Sequence, residues 1–519
     1  MKKTLNIFAV AIFLVAVCWL IFSKYIIDSS DDTSNSDNSV QVEEVETVAI
    51  VDFFVPVVAY SRLQNNISYA DLLNEKICAL DETADSISHI FADKEINYIE
   101  AAQIEETIKL GEICLLPPEQ VSFHYKSLAV DGHLFWEKDK KLTDYPLKYT
   151  FETTAASLDK ELQQQRQALS NVDNRNTIFI SGEIIPARAV DRLALNQNNN
   201  YTYLYDYFRE DIETADLAIG LLENPINGNP APCTGCMSFV GDEQNALGLK
   251  KVGFDILSLA GNHAGDGGLN GYKRTIDVLG ENGILTAGAG NSDEAKIKPA
   301  IYTVNGKKHA VISADTVAGY YWNKGGSYYG TNWFSKSMNS DVDYDRVALI
   351  KELKEKNEID YLIIYMSWGV EYTNKATNFQ KELAHALIDN GADLIVASHP
   401  HWVQNIEIYN GKPIFYALGN FIFDQNHTDP TREGVNLNLY YADNELKSIE
   451  IMPHLACGPF ISSVNLTNKY LAGEIDREYL NNNDEQKGCV YFQPKKLNEQ
   501  DKHYQRIWER MMQHSDLIK

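Results

Sequence analysis

Between residues 177 and 400 the chain alternates short, nearly continuous apolar runs with stretches in which apolar residues recur every three or four positions. The runs are "TIFISGEII", "ADLAIGLLENP", "FDILSLAGNH", "DYLIIYMSW" and "DLIVASHP"; each has the length of a buried strand and ends in polar residues. Between the last two, "NFQKELAHALIDNGAD" puts Leu383, Leu387 and Ile388 on one helical face and stops at Asn390-Gly391. His385 shares the outer face with Glu382 and Asp389 and is read as solvated. Two further segments, "PAIYTVNGKKHAVISAD" and "NIEIYNGKPIFYALGNFIF", set an Asn-Gly pair between β-rich runs, which predicts hairpins. The pattern predicts an α/β unit over residues 173–460, and in such sheets ligands gather at the carboxyl ends of the strands.

The flanking segments read differently. "MKKTLNIFAVAIFLVAVCWLIFSKYII" opens with two lysines and an apolar stretch from Ile7 to Phe22, and is expected to be an uncleaved signal anchor over residues 1–27. The lysines then lie on the inner side and the bulk of the chain lies outside the cytoplasm. Residues 28–46 are acidic and polar and read as a flexible stalk. A smaller N-terminal domain is expected over 47–172, with a strand-like "VAIVDFFVPVVAY" and a helix-like "IEAAQIEETIKL"; "SLDKELQQQRQALSNVDNRN" reads as a linking helix. A C-terminal extension, 461–519, carries a loop at "NNNDEQKG" and a helix at "YQRIWERMMQHSDLIK".

Composition narrows the partners. The 519 residues carry 46 basic and 72 acidic side chains, a net charge of −26, with no basic cluster, which argues against nucleic acid. An anionic ligand would need a local basic spot or a bound cation. Outside the anchor stand six cysteines, Cys78, Cys114, Cys233, Cys236, Cys457 and Cys489; an even number outside the cytoplasm permits disulfides. Cys233 and Cys236 form a lone C-x-x-C, read as a loop disulfide or free thiols, with a redox pair and half a zinc site as the alternatives.

Five strand ends carry candidate chemistry: Glu183, Glu223, Asn262 with His263, Ser367 to Glu371, and His399 with His401. Carboxylate, amide and imidazole together suit Mg, Mn, Zn or Fe, one or two ions, at a site that activates water and clamps a phosphoryl group. The glycines around "AGNHAGDGG" let backbone and ligand approach closely, although the same residues suit an ordinary strand-to-helix turn.

The ordered series "SGEIIPAR", "GLLENP", "GNHAGDGGLNGYKRT", "SWGVEY", "SHPH" and "ALGNFIFDQ", spanning about Thr177 to Gln425, resembles the bacterial capsule-synthesis CapA family, which includes poly-γ-glutamate synthesis components. The resemblance implies a metallophosphatase-like fold, a four-layer αββα sandwich, here preceded by the anchor and the smaller domain. It places Glu223, Asn262, His399 and His401 on metal-ligand positions, with Glu183 where the family carries aspartate. His263 falls where related phosphatases protonate a leaving group, and Arg188, Asp266 and Glu371 fall on supporting positions. Ser367 stands where the family has histidine, and a hydroxyl is a poorer metal ligand than imidazole, so one metal position loses affinity.

Three functions follow from the resemblance. The first is a membrane-anchored, extracytoplasmic component of capsule or poly-γ-glutamate synthesis and export, working beside membrane-embedded synthase or export subunits, with an anionic surface polymer as its ligand. The second is a metal-dependent hydrolase of the cell envelope. The third is a binding module that keeps the frame without the chemistry. Whether the chain is an enzyme stays open at this point.

Overall fold

A computed structural model describes residues 47–154, 175–195, 200–227, 238–317, 329–425, 428–443, 445–457 and 492–513, together with Lys469, Glu474 and Ser515. The expected anchor (1–27), the stalk (28–46), residues 157–174 of the linking helix, Cys233, Cys236, Cys489 and "NNNDEQKG" lie outside the described residues. Among the described residues, no helix is long and apolar enough to cross a membrane.

The protein is mixed α/β. All five apolar runs form parallel strands, three as neighbours in one sheet and two as neighbours in another. In the first sheet Leu285–Ala287, Ile256–Ser258, Leu217–Leu222 and Asn176–Ile184 are parallel, followed by antiparallel Glu433–Ala442, Glu445–Ala456 and Pro494–Lys496. Asn420–Ile422 pairs with the far end of Asn176–Ile184. In the second, Lys307–Asp315, Tyr361–Ser367, Leu394–Ser398 and Lys412–Phe415 run parallel, flanked by antiparallel Ala300–Val304 and Ile406–Tyr409.

Alternation along these strands assigns their faces. Ile178, Ile180, Leu217, Ile219 and Leu221 share one core with Ile363, Tyr365, Leu394 and Val396, so the two sheets pack against each other. The intervening residues face outward onto helices. Phe179, Ala218 and Leu222 meet Ile212, Leu249 and Val278, whereas Leu362, Ile364 and Ile395 meet Val347, Ile350, Leu383 and Leu387. Both predicted hairpins are present, with Asn305-Gly306 at φ of 46° and 79° and Asn410-Gly411 at 47° and 69°. Two successive positive φ values make the turn whose twist matches that of the strands.

A second sheet system lies upstream, in the order Ile96–Ile99, Ile77–Leu80, Ile113–Leu116, Val55–Val58, Lys126–Ser127, with its own core. Cys78 and Cys114 face each other across parallel strands and are disulfide-bonded; Cys457 is disulfide-bonded as well. The predicted C-terminal helix is Lys502–Gln513. Its Tyr504, Ile507, Trp508 and Met511 enter the core between the large sheets, and Trp508 Nε1 donates to the Tyr60 carbonyl at 2.7 Å.

The helix Asn378–Asp389 buries Leu383, Leu387 and Ile388, and ends as expected at Asn390-Gly391, with Gly391 at φ 104°. The expectation for His385 needs correction. Its ring stacks on Tyr409 at 3.8 Å, and its Nε2 lies 2.6 Å from Glu407 Oε1. The hairpin Ile406–Tyr409 and Lys412–Phe415 packs beside this helix, and a helical wheel carries no sign of that neighbour.

Candidate functional site

Parallel strands deliver their carboxyl ends to the same edge, and the predicted polar groups meet there. Glu183 lies near the end of Asn176–Ile184, after an irregularity between Ile180 and Glu183, and its N–H donates to the Gly419 carbonyl at 3.0 Å. Glu223 follows Leu217–Leu222 directly and is buried. Asn262 and His263 occupy the turn after Ile256–Ser258. Gly261 is obligatory in that turn, since a Cβ there would run into the Glu223 carboxylate. His399 and His401 follow Leu394–Ser398 with φ of 95° and 58°. Arg188 and Tyr372 also sit at positive φ, 55° and 60°. Conformations that cost non-glycine residues about 1–3 kcal/mol each collect at functional sites, where the surrounding structure over-determines them.

Each imidazole is oriented through Nδ1. His399 Nδ1 donates to Asn262 Oδ1 at 2.9 Å, and His401 Nδ1 donates to Asn420 Oδ1 at 2.9 Å. The Asn420 amide is fixed in turn, because its Nδ2 donates to the Thr431 carbonyl at 2.9 Å. His263 Nδ1 donates to Asp266 Oδ2 at 2.9 Å, and the same oxygen accepts the Phe239 N–H at 2.7 Å. The three Nε2 atoms therefore carry the reactive edge. The rings of His399 and His401 lie 6.1 Å apart, and the His263 N–H reaches Glu223 Oε1 at 3.4 Å.

The electrostatics separate the two buried glutamates. Burial pushes Glu223 up, the charges of Glu183 and Asp315 add to that, and its carboxyl stands well above the usual range. Burial opposes the charge on Glu183 too, but His401 and then His399 outweigh it, so Glu183 is held below the usual range. Glu183 Oε2 lies 3.0 Å from His401 Nδ1. Burial works against a charge on His401, yet Glu183 and Asn420 together raise its pKa. His399, buried and beside His401, is lowered to about 3 and stays neutral. Burial and like charge thus favour the neutral form of Glu223, while His401 and Glu183 favour each other's charged forms.

The donor chemistry fits a hard divalent cation. Both oxygens of Glu183 and Oε2 of Glu223 are buried without a hydrogen bond of adequate geometry, which leaves acceptors that a cation would satisfy. Among the described residues, however, no three His, Cys, Asp or Glu side chains converge as a ready ligand set. The fit is that of a carboxylate pair bordered by amide and imidazole, not a finished cage. Asn262 Oδ1, expected to ligate, is engaged by His399. Ser367 is buried, and among the described residues its Oγ has no hydrogen-bond partner. Glu371 stays exposed at the rim beside Tyr372, whose ring stacks 6.0 Å from that of His401.

Arg188 holds Asp424, which accepts from Nε at 3.1 Å and also from Nη2. Asn420, Asp424, Asp315 and Phe239 escaped the sequence reading. Asn420 and Asp424 stand inside the quoted "ALGNFIFDQ" and Asp315 ends the strand "HAVISAD", so a signal existed for these three. Phe239 has none.

Residues 177–425 match the family described as "Bacterial capsule synthesis protein PGA_cap". The chain is 30% identical over 301 residues to the "Capsule biosynthesis protein CapA" of Bacillus anthracis, covering 56% of this chain and 71% of that one. It is 29% identical over 306 residues to the "PGA biosynthesis protein CapA" of Bacillus subtilis (strain 168), covering 57% of this chain and 77% of that one. A "Probable polyglutamine synthesis accessory protein" of Mycobacterium tuberculosis is 29% identical over 173 residues, covering 33% of this chain and 45% of its own.

Proposed function

Given that the chain belongs to the bacterial capsule synthesis family, we propose that it is an extracytoplasmic component of capsule or poly-γ-glutamate synthesis and export, tethered by residues 1–27 and working beside membrane-embedded synthase or export subunits. In this reading residues 173–460 are a metallophosphatase-like four-layer frame. The supporting observation is that Glu183, Glu223, His263, His399 and His401 meet at one edge of the two sheets, inside the segment that matches the family. A divalent metal (Mn, Zn, Mg or Fe) would be held by Glu183 and Glu223 with imidazole support, and would supply Lewis-acid charge stabilisation there.

A second reading, a metal-dependent hydrolase, is favoured by the His263–Asp266 pair. Asp266 accepts the Nδ1–H, which leaves Nε2 as the nitrogen that takes up a second proton, making the imidazolium, and gives that proton to a leaving group. A non-catalytic binding module is the alternative that keeps the site without this step.

The test is genetic and chemical together. In a strain deleted for the gene, the wild-type chain should restore surface polymer, and the Glu223→Gln and His399→Ala variants should not. Undiminished surface polymer after deletion would refute the capsule role. Metal content of the purified chain, with thermal shift on adding Mn or Zn, reads the cation directly. Wild-type protein should take up metal and Glu223→Gln should lose it.

A further inference from the structure

A chain with a net charge of −26 repels polyanions, so a polyanion must be received at a local cation. Of the side chains placed at the site above, Arg188 alone carries a permanent positive charge. Its setting is unusual. The backbone is held at φ 55°. Asp424 accepts from Nε at 3.1 and 3.3 Å through its two oxygens and also accepts from Nη2, and its Oδ2 accepts the Ala189 N–H at 3.1 Å. The guanidinium lies 4.5 Å from the centroid of Phe239 and 5.2 Å from that of Phe423.

Those two rings connect it to the imidazoles. Phe239 stands edge-on to His263 at 4.3 Å, and Phe423 lies 5.7 Å from His401. Arg188 is therefore one ring away from both imidazoles. Its side chain is 36% exposed, whereas Asp424 is 9% exposed. Among the described residues, Nη1 has no protein partner. A guanidinium clamped on one edge by a carboxylate and on its face by aromatics loses little freedom when its other edge binds an oxyanion.

We propose that Arg188 is the residue that holds a substrate carboxylate at this site, through a planar two-donor contact with a glutamyl-type polyanion. This rests on the capsule and polyglutamate reading above. The free edge of the fork matches the two oxygens of one carboxylate. Glu183, Asp266, Asp315 and Glu371 already bring negative charge to the surroundings, and a singly charged carboxylate meets less repulsion there than a doubly charged phosphoryl group. Asp424 acts as the positioning residue, keeping the guanidinium fixed and directed outward.

Calorimetric titration of the full chain with a short γ-glutamyl oligomer, at low and at physiological salt, tests this. Wild type should bind, and Arg188→Met should bind about tenfold or more weakly, the loss a charge-assisted contact produces. Arg188→Lys keeps the charge without the fork and should recover only part of the affinity. Asp424→Asn keeps the guanidinium but frees it, and should weaken binding without abolishing it. Melting curves check that each variant is folded; if Arg188→Met is not, the lysine and asparagine variants carry the test. Equal binding by wild type, Arg188→Lys and Asp424→Asn would overturn the role of Arg188 and leave the polyglutamate reading standing. No binding of the oligomer by wild type would overturn both. Arg188-dependent binding of inorganic polyphosphate in preference to the oligomer would overturn the carboxylate assignment.

Discussion

Replacing Glu433 by glutamine should destabilise the protein far more than a surface charge change would. Glu433 is fully buried at the start of Glu433–Ala442. Its Oε1 accepts from His503 Nδ1 at 2.8 Å and from Arg506 Nε at 2.8 Å, and its Oε2 accepts from Arg510 Nη2 at 2.9 Å. Arg510 is itself only 8% exposed, and among the described residues its Nη1 has no hydrogen-bond partner. Glutamine would retain one acceptor, turn an N–H₂ toward donors and leave the buried guanidinium uncompensated. Breaking a buried pair from one side costs about 3–5 kcal/mol.

The pH dependence follows from the same contacts. Burial raises the Glu433 pKa, but His503, Arg506 and Arg510 outweigh it and hold the carboxyl below its usual value. A depressed carboxylate contributes stability that is present above its unfolded pKa of about 4.3 and is lost as pH falls through the folded value. Urea unfolding followed by circular dichroism at neutral pH and at progressively acidic pH measures both effects. Wild type should lose stability on acidification, and Glu433→Gln should show a smaller loss over the same interval because this contribution is already gone. A variant within about 1 kcal/mol of wild type at neutral pH, the scale of an exposed pair, would refute the reasoning. The effect should reach the site as well, because Gly434 bridges Gly419 and the nearby Thr431 carbonyl holds the Asn420 amide that orients His401.

Gly261→Ala should cost about 1–3 kcal/mol by forcing the Glu223 carboxylate aside, visible as a lowered melting temperature. Cys78→Ser with Cys114→Ser should lower stability by about 2–4 kcal/mol, and reductant should then have less effect on the variant's melt than on that of wild type, unless the Cys457 bond contributes most of it. If the site hydrolyses, Asp266→Asn should retain the fold and lower turnover of a chromogenic phosphodiester about ten- to a hundredfold, since it replaces the charged acceptor that orients His263 by a neutral amide. Unchanged turnover would dismiss the orienting role.

Much of this was readable along the chain because its signals are local. A buried run ending in polar residues is a strand with something to present, and Asn-Gly between β-rich segments is a hairpin; both held at every position where they were invoked among the described residues. What escaped depends on partners that are distant in sequence. Asp424 meets Arg188 across a separation of 236 residues, and His385 meets Glu407 through a hairpin that folds back onto its helix. The Phe239 ring that shapes the surroundings of His263 comes from a loop with no periodicity. The candidate ligands themselves were recognisable by type, but that Asn262 would spend its oxygen on His399 follows only from their closeness in space.

The contact between Trp508 and the Tyr60 carbonyl has a consequence for biogenesis. The two residues are separated by 448 positions, and Asn65 likewise donates to the Tyr504 hydroxyl at 2.9 Å from 439 positions away. A ribosome or translocation channel delivers the early partner long before the late one, so the upstream sheet must wait, with part of its surface unsealed, until Lys502–Gln513 emerges. Truncation just before that helix would strand a nascent chain in this unsealed condition, a natural target for chaperones and quality-control proteases.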